Sequence, residues 1–244
     1  MTQDKPGAEG SSTSDALAEV THETRRPLGL ARSYLSLILE EHVGPLTGTL
    51  RERLEQVDAK LAEALSALDN RLLLLSTLER NERQPTLQQP VDLVAAVEGA
   101  INRAQVRCEL AAGRLDFQHS PPPIRARANS LLLDRVLDNL LENALIYSAG
   151  PPQVTVEVGL GSPGRPFVRV VDQGVGMTRA VAAEIFERGF RGDPANPSSG
   201  SGLGLWLSRR AAAQMEARLV LEATEPGRGS AFLLELQPDG DAGG

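Results

Sequence analysis

Apolar residues recur at helical spacing through the first third of the chain. They form one face over residues 16–42 and alternate in steps of three and four over residues 50–75. Pro27 interrupts the first helix, and glycine and proline within residues 42–48 mark a short connection. Because one hairpin cannot bury such long apolar stripes, residues 15–80 are expected to form half of an antiparallel four-helix bundle in a homodimer. The alternative is packing onto the rest of the same chain.

The pattern of apolar and polar residues changes after residue 80. Residues 81–90 are polar with two prolines and predict a linker. Residues 1–14 and 239–244 are predicted to be disordered tails. Helical patterns and strand-like alternation then mix over residues 91–238, which predicts an α/β sandwich with a largely antiparallel or mixed sheet. The predicted helices cover 91–110, 131–147 and 206–215, and the predicted strands cover 115–118, 124–128, 154–158, 167–171, 219–222 and 231–236.

Composition narrows the class of protein. The 244 residues suffice for two domains, and a net charge of -7 argues against a general nucleic-acid surface. Cys108 is the single cysteine, so neither an internal disulfide nor a cysteine-rich metal site can form. No apolar run approaches the roughly 18 residues of a membrane span, and the first residues lack the apolar stretch of a signal peptide. The chain is therefore expected to be soluble and cytoplasmic.

The sequence DNLLENA over Asp138–Ala144 carries two amides on one helix face. Asn139 and Asn143 are four residues apart, where a helix more often places leucine. An amide oxygen is a hard ligand suited to Mg²⁺, which completes its shell with water and phosphate oxygens. The same spacing also suits two asparagines on a solvated face.

The sequence DQGVG follows the apolar strand predicted over residues 167–171. The carboxylate of Asp172 could accept a hydrogen bond from an exocyclic amine, and Gly174 and Gly176 would let the backbone approach a flat ring. Adenine is the natural candidate. A simple turn between strand and helix is the other interpretation.

The sequence GSGLGL at Gly200–Leu205 precedes a predicted helix. Glycine-rich loops that open a helix present backbone donors to phosphate oxygens, and Gly200, Gly202, Leu203, Gly204 and Leu205 are the candidates. The spacing fits neither a Rossmann fingerprint nor a P-loop. A flexible linker remains the alternative, and residues 192–199 are a candidate lid beside the phosphate site.

His22 is a candidate phosphoryl acceptor on the first predicted helix. A neutral imidazole nitrogen can take a phosphoryl group, and the carboxylate of Glu23 can hold the proton on the other nitrogen. Arg25 and Arg26 could pair with phosphate or with an acidic partner. The alternative is an ordinary surface histidine.

Together and in this order, the motifs closely resemble the catalytic core of HisKA-type two-component sensor histidine kinases. HETRRPL resembles the H box, DNLLENALIYS the N box, DQGVGM the G1 box, IFERGF the F box with Phe186 and Phe190, and GSGLGL the G2 box. The resemblance covers residues 15–238. It implies a dimerisation and histidine-phosphotransfer hairpin followed by a Bergerat-type ATP-binding domain.

The resemblance also implies a role for each matching residue. His22 would accept the phosphoryl group beside Glu23 as its acid–base neighbour, with ATP and Mg²⁺ as cofactors and the receiver domain of a response regulator as partner. Asn143 would bind Mg²⁺ and Asn139 would contact the phosphate side. Tyr147 would lie beside the nucleotide, Asp172 would hold the adenine amine, and Gly202–Leu205 would border the phosphates.

Two positions depart from the family pattern. Ile146 stands where the N box usually has lysine or arginine, so Arg188 or Arg191 would have to supply that charge. Arg26 stands where the H box commonly has threonine or asparagine, and an arginine cannot accept a hydrogen bond from water. Weak or absent phosphatase activity toward the regulator is therefore expected.

Two other functions fit part of the pattern. One is a dimeric scaffold that binds ATP without transferring phosphate, and the other is an ATPase or chaperone of the same nucleotide-binding superfamily. Residues 1–14 are too few to fold as a sensor. The chain is therefore expected to be either a shortened form of a longer kinase or a kinase controlled by a separate sensor or regulatory protein.

Overall fold

The computed structural model divides the chain into two compact units, residues 1–76 and 77–244. It describes residues 28–31, 33–39, 48–54, 56–58, 61, 87–121, 123–190 and 202–240. Within these ranges, no helix has the length and apolar character that crossing a membrane requires.

The first unit is helical wherever it is described. Residues 28–31 and 33–39 lie within the first predicted helix, and residues 50–54 and 56–58 lie within the second. Gly48, which the sequence assigned to the connection, is already helical, so the second helix begins earlier than predicted. Arg51 donates a hydrogen bond from Nη1 to the carbonyl oxygen of Leu39 over 3.2 Å, which joins the two helical stretches. His22, Glu23 and residues 42–47 of the predicted connection lie outside the described residues.

The second unit is an α/β sandwich. A five-stranded sheet has the order β2 (Arg114–His119), β4 (Gln153–Leu160), β5 (Pro166–Asp172), β7 (Gly229–Glu235) and β6 (Arg218–Glu225). In it β2 and β4 are parallel and the other pairs are antiparallel. A three-stranded antiparallel sheet has the order β1 (Gln89–Asp92), β3 (Arg125–Ala128) and β8 (Gln237–Pro238). The predicted fold class, with its mixed sheet, is confirmed.

The elements follow one another in this order: β1 (Gln89–Asp92), α1 (Leu93–Leu110), β2 (Arg114–His119), β3 (Arg125–Ala128), α2 (Ser130–Ile146), β4 (Gln153–Leu160), β5 (Pro166–Asp172), α3 (Arg179–Glu184), α4 (Gly204–Gln214), β6 (Arg218–Glu225), β7 (Gly229–Glu235) and β8 (Gln237–Pro238).

The start of the second unit differs from the sequence prediction. Gln89 and Pro90, assigned to the linker, lie in β1, and the helix expected from residue 91 begins only at Leu93. Asp92 ends the strand and caps the helix, because its Oδ1 accepts hydrogen bonds from the amides of Val94 and Ala95. Proline is tolerated in β1 because this strand lies at the edge of its sheet.

The core forms where α1, α2 and α4 cover one face of the five-stranded sheet. Alternate residues of β4 and β5 point inward, among them Val154, Val156, Val168 and Val170, all of which are buried. Helix α2 carries the longest run of inward residues, with Leu132, Leu133, Val136, Leu137, Leu140, Leu141 and Ala144 buried. Helix α2 is therefore the central helix of the layer, in contact with the sheet and with both α1 and α4.

Replacing Leu140 with alanine tests how far the fold depends on α2. Leu140 is 0% exposed, so Leu140→Ala should lower the free energy of unfolding by about 2–5 kcal/mol through lost burial and a cavity. Leu131→Ala on the same helix, at a side chain 39% exposed, should cost about 1 kcal/mol or less. Urea unfolding followed by the fluorescence of Trp206, the single tryptophan, reports on this unit. Equal losses in the two variants would contradict the assigned role of α2.

Candidate functional site

A pocket opens between α2, the segment after β5 and the start of α4. Five predicted site residues line it: Asn143, Tyr147, Asp172, Gly176 and Leu205. Six further residues complete its wall: Val175, Met177, Ile185, Phe190, Ser230 and Phe232. Most of this wall is apolar, so the few polar groups in it define how a ligand would be oriented.

Asp172 is the buried acidic group of this pocket. It ends β5 on the same face as Val168 and Val170, and only 7% of its surface is exposed. Its Oδ1 accepts hydrogen bonds from the amides of Gly174 at 2.8 Å and Ser230 at 3.2 Å. Burial raises the pKa of the Asp172 carboxyl above its ordinary value of 3.8, and these two hydrogen bonds oppose the rise.

The glycines after Asp172 let the backbone pass close to neighbouring carbonyl groups. A Cβ on Gly174 would overlap the carbonyl oxygen of Tyr147, to which the amide of Val175 donates a hydrogen bond of 2.9 Å. Gly176 has φ +59°, and a Cβ there would overlap the carbonyl oxygen of Glu225. The DQGVG sequence is thus required by backbone packing as well as by any ligand.

The two asparagines of α2 lie in different environments. Asn143 lines the pocket together with Tyr147, which is 41% exposed. Asn139 instead donates a hydrogen bond of 2.9 Å from Nδ2 to Oγ of Ser208, a fully buried residue of α4. A Cβ on Gly204 would overlap Oδ1 of Asn139, so glycine at this position lets the two helices approach. Asn139 connects α2 to α4 and is not among the residues that line the pocket.

The glycine-rich segment leads into α4 beside the pocket. Gly202 has φ +68°, and its carbonyl oxygen accepts a hydrogen bond of 3.1 Å from the amide of Gly189. Leu203 occupies the N-cap position of α4 without a side-chain cap, and Leu205 reaches the pocket. Gly202, Leu203 and Gly204 precede Leu205 in the chain but do not themselves line the pocket. Gly200 lies outside the described residues.

Neither Ile146 nor Arg188, one of the two residues expected to replace the missing positive charge, is among the residues that line the pocket. Ile146 is 41% exposed at the end of α2. The guanidinium carbon of Arg188 lies 5.4 Å from the ring centroid of Trp206, in the first turn of α4. Arg188 is thus held beside α4 by an aromatic contact, while Arg191 lies outside the described residues.

Several pocket residues had no distinct signal in the sequence. Met177 and Ile185 lie in or next to recognised boxes, but apolar residues at those positions also suit an ordinary core. Ser230 and Phe232 belong to β7, whose alternation predicted a strand and gave no information about which face meets a ligand. Phe232 also contacts Phe186 of the F box edge to face, with ring centroids 6.4 Å apart.

Comparison with known proteins assigns this architecture to a class. Residues 128–240 match the family described as histidine kinase-, DNA gyrase B-, and HSP90-like ATPases. The mycobacterial sensor histidine kinase MprB, at 27% identity and TM-score 0.51, covers 62% of this chain and 99% of its own. The histidine kinase AdeS of Acinetobacter baumannii shares the fold at 20% identity and TM-score 0.59, over 89% of this chain and 98% of its own.

Curated relatives narrow the class. The sensor-like histidine kinase SenX3 of Mycobacterium tuberculosis is 32% identical over 230 residues, which are 91% of this chain and 53% of SenX3. The phosphate regulon sensor protein PhoR of Pseudomonas aeruginosa is 29% identical over 233 residues, 92% of this chain and 50% of PhoR. The chain spans about half the length of these relatives. The chain is thus similar to the catalytic core of two-component sensor histidine kinases, which confirms the predicted resemblance.

The raised pKa of Asp172 predicts a specific pH dependence of stability. The folded protein holds this proton more tightly than the unfolded chain, whose carboxyl titrates near its ordinary 3.8. The stabilising contribution is complete below that pH and is lost as pH rises through the raised folded pKa. Wild-type stability should therefore fall relative to Asp172→Asn over this window and then stay level. Urea unfolding of both proteins at a series of pH values measures the difference, and parallel curves would contradict the prediction.

Proposed function

We propose that this chain transfers the γ-phosphoryl group of ATP to His22 and then to an aspartate on the receiver domain of a response regulator. The observation that carries the proposal is the mostly apolar pocket that the buried carboxylate of Asp172 and the amide of Asn143 line together. The family match over residues 128–240 supports ATP as the nucleotide.

The pocket suits an adenine base. Both backbone hydrogen bonds to Asp172 use Oδ1, so Oδ2 is the oxygen available to accept from an exocyclic amine. Met177, Ile185 and Phe232 supply apolar surface for the faces and edges of a flat ring. In this arrangement the carboxylate of Asp172 selects the base, and these three apolar side chains enclose it without offering competing hydrogen bonds.

Mg²⁺ fits the donor chemistry of Asn143, which also lines the pocket. Asn143 offers an amide oxygen, and the described residues contain no group of three or more acidic, histidine or cysteine side chains that would form a complete cage. Such an arrangement suits an ion that keeps waters and takes phosphate oxygens as ligands. When bound, Mg²⁺ would neutralise part of the phosphate charge, and the amides that open α4 would contribute further donors.

The transfer itself needs little covalent chemistry from the protein. A neutral ring nitrogen of His22 forms the new N–P bond while the bond between the γ-phosphorus and the bridging oxygen breaks, and ADP leaves. Glu23 would hold the proton on the other ring nitrogen and so keep the attacking nitrogen unprotonated. The regulator's aspartate then accepts the phosphoryl group and releases His22 for another cycle.

We further propose that the hairpin dimerises and presents His22 to the regulator. Apolar side chains remain about half exposed in the single chain, which favours burial against a partner hairpin: Leu30, Leu37, Leu50 and Val57. The input would come from a sensor segment or from a separate regulatory protein.

Phosphorylation with γ-labelled ATP and Mg²⁺ tests the assignment of His22. The wild type should acquire acid-labile label, and His22→Ala should fall to background because the acceptor nitrogen is absent. His119→Ala removes an exposed histidine of β2 and should label like the wild type.

Asp172→Asn should bind ATP about 10–100-fold more weakly, the effect of losing one hydrogen bond to a charged group.

Three outcomes separate this proposal from its competitors. Undiminished labelling of His22→Ala would falsify the assignment of the acceptor. Tight ATP binding by an unlabelled wild type would indicate the silent scaffold, for which the apolar Ile146 is the supporting observation. Rapid release of free phosphate without a phosphoprotein would indicate an ATPase. Mixed dimers of His22→Ala and Asn143→Ala chains then tell whether transfer occurs within or between protomers.

The arginine at position 26 predicts a weak phosphatase. A guanidinium group cannot accept a hydrogen bond from an attacking water, whereas a hydroxyl can. The wild type should barely accelerate dephosphorylation of the regulator, and Arg26→Thr should raise that rate by roughly tenfold or more through positioning of the water. Decay of the phosphorylated regulator with each protein measures the effect. Strong and equal acceleration by wild type and Arg26→Ala would show that Arg26 does not limit the reaction.

A further inference from the structure

Three side chains form a row across neighbouring strands beside the pocket. Asp172 of β5 is paired with Ser230 of β7, and Ser230 is paired with Thr224 of β6. Directly paired residues of antiparallel strands share one face of a sheet, so all three belong to the helix-covered face. Asp172 and Ser230 line the pocket, while Thr224 stands behind Ser230.

The hydroxyl of Thr224 connects two separate parts of the pocket wall. Its Oγ1 accepts a hydrogen bond of 2.9 Å from the amide of Met177, in the segment after β5. It also lies 3.0 Å from Oγ of Ser230 and 3.1 Å from the carbonyl oxygen of Gly229, to which it can donate. One hydroxyl therefore contacts both Met177 and Ser230, two lining residues from different segments of the chain.

A β-bulge is responsible for this position. The pairing of β6 with β7 shifts between Leu221 and Ala223, so that Ala223 faces Ala231 and Thr224 faces Ser230. With unbroken register, Thr224 would instead lie opposite Gly229, and its side chain would point to the other face of the sheet. The extra residue thus turns the threonine toward the pocket.

We propose that Thr224 is a positioning residue for the nucleotide base. It holds Met177 and Ser230 at fixed positions relative to Asp172, so that the apolar wall and the carboxylate meet the same base at the same time. The inference rests on the proposed binding of ATP in this pocket. Thr224 does not line the pocket, so its effect is transmitted through the two residues it holds.

The hydroxyl of Thr224 acts both as a hydrogen-bond acceptor and as a hydrogen-bond donor. Threonine has one proton and two lone pairs: the amide of Met177 occupies one lone pair, and the proton is directed to Gly229 or Ser230. Valine has nearly the same shape and can fill neither role. Thr224→Val would leave the amide of Met177 without this acceptor and free Ser230 to rotate, while Thr224→Ser would retain the hydroxyl.

Calorimetric titration with ATP and Mg²⁺ tests the proposal on the full chain. Thr224→Val should raise the Kd for ATP about tenfold, the effect of one lost net hydrogen bond, and Thr224→Ser should stay within about threefold of wild type. Thr155→Val, at a half-buried threonine of β4 that lies on the opposite face of the sheet and does not line the pocket, is the matched control and should bind like wild type. Circular dichroism and urea unfolding show whether each variant is folded at the assay temperature.

Phosphorylation kinetics separate positioning from general destabilisation. Thr224→Val should raise the apparent KM for ATP about tenfold while the rate at saturating ATP stays within about twofold of wild type, because phosphate and acceptor geometry are unchanged. A folded Thr224→Val with wild-type Kd, or a Thr224→Ser as weak as the valine variant, would overturn the inference. Failure of the wild type itself to bind ATP would instead overturn the proposed function.

Discussion

The packing of α2 against the five-stranded sheet is the constraint on which the site depends. Seven side chains of α2 are buried between the sheet and the neighbouring helices α1 and α4, so the rotation of the helix about its axis is fixed by the apolar face. The asparagines then occupy the flank that remains. Asn139 meets α4 through Ser208 and Asn143 reaches the pocket, although both belong to the same short motif. A single helix thereby positions one polar group for helix packing and another for a ligand.

Two carboxylates of α2 form ion pairs with arginines of the neighbouring helix α1. Asp138 forms an ion pair with Arg103 of α1 at 2.8 Å, and Glu142 pairs with Arg107 at 3.6 Å. These partly exposed pairs contribute modestly to stability, yet they direct two negative charges of the N box toward α1. The pocket side of α2 is left with an amide, a group that does not repel phosphate.

Asp172 illustrates how a site can be costly to the fold that carries it. A carboxylate on the buried face of β5, beside Val168 and Val170, loses hydration. The two backbone amides recover only part of that loss, as the raised pKa of Asp172 indicates. Gly174 and Gly229 allow those amides and the neighbouring strands to come close enough. A Cβ on Gly229, for example, would overlap the carbonyl oxygen of Asp172. The buried position of the carboxylate therefore depends on the two glycines.

The sequence alone determined the elements and the chemical inventory of this protein. Periodicity predicted the long helices and the strands of the sandwich, because burial of one face imposes a repeat that is local in the chain. Motif order predicted the family, and Asn143, Tyr147, Asp172, Gly176 and Leu205 do meet in one pocket. Strand β1 was missed because a proline-bearing edge strand resembles a linker. The tertiary structure alone decided that Asn139 joins two helices and that a bulge brings Thr224 opposite Ser230. Such relations depend on register and on contacts between residues distant in sequence, which no local pattern encodes.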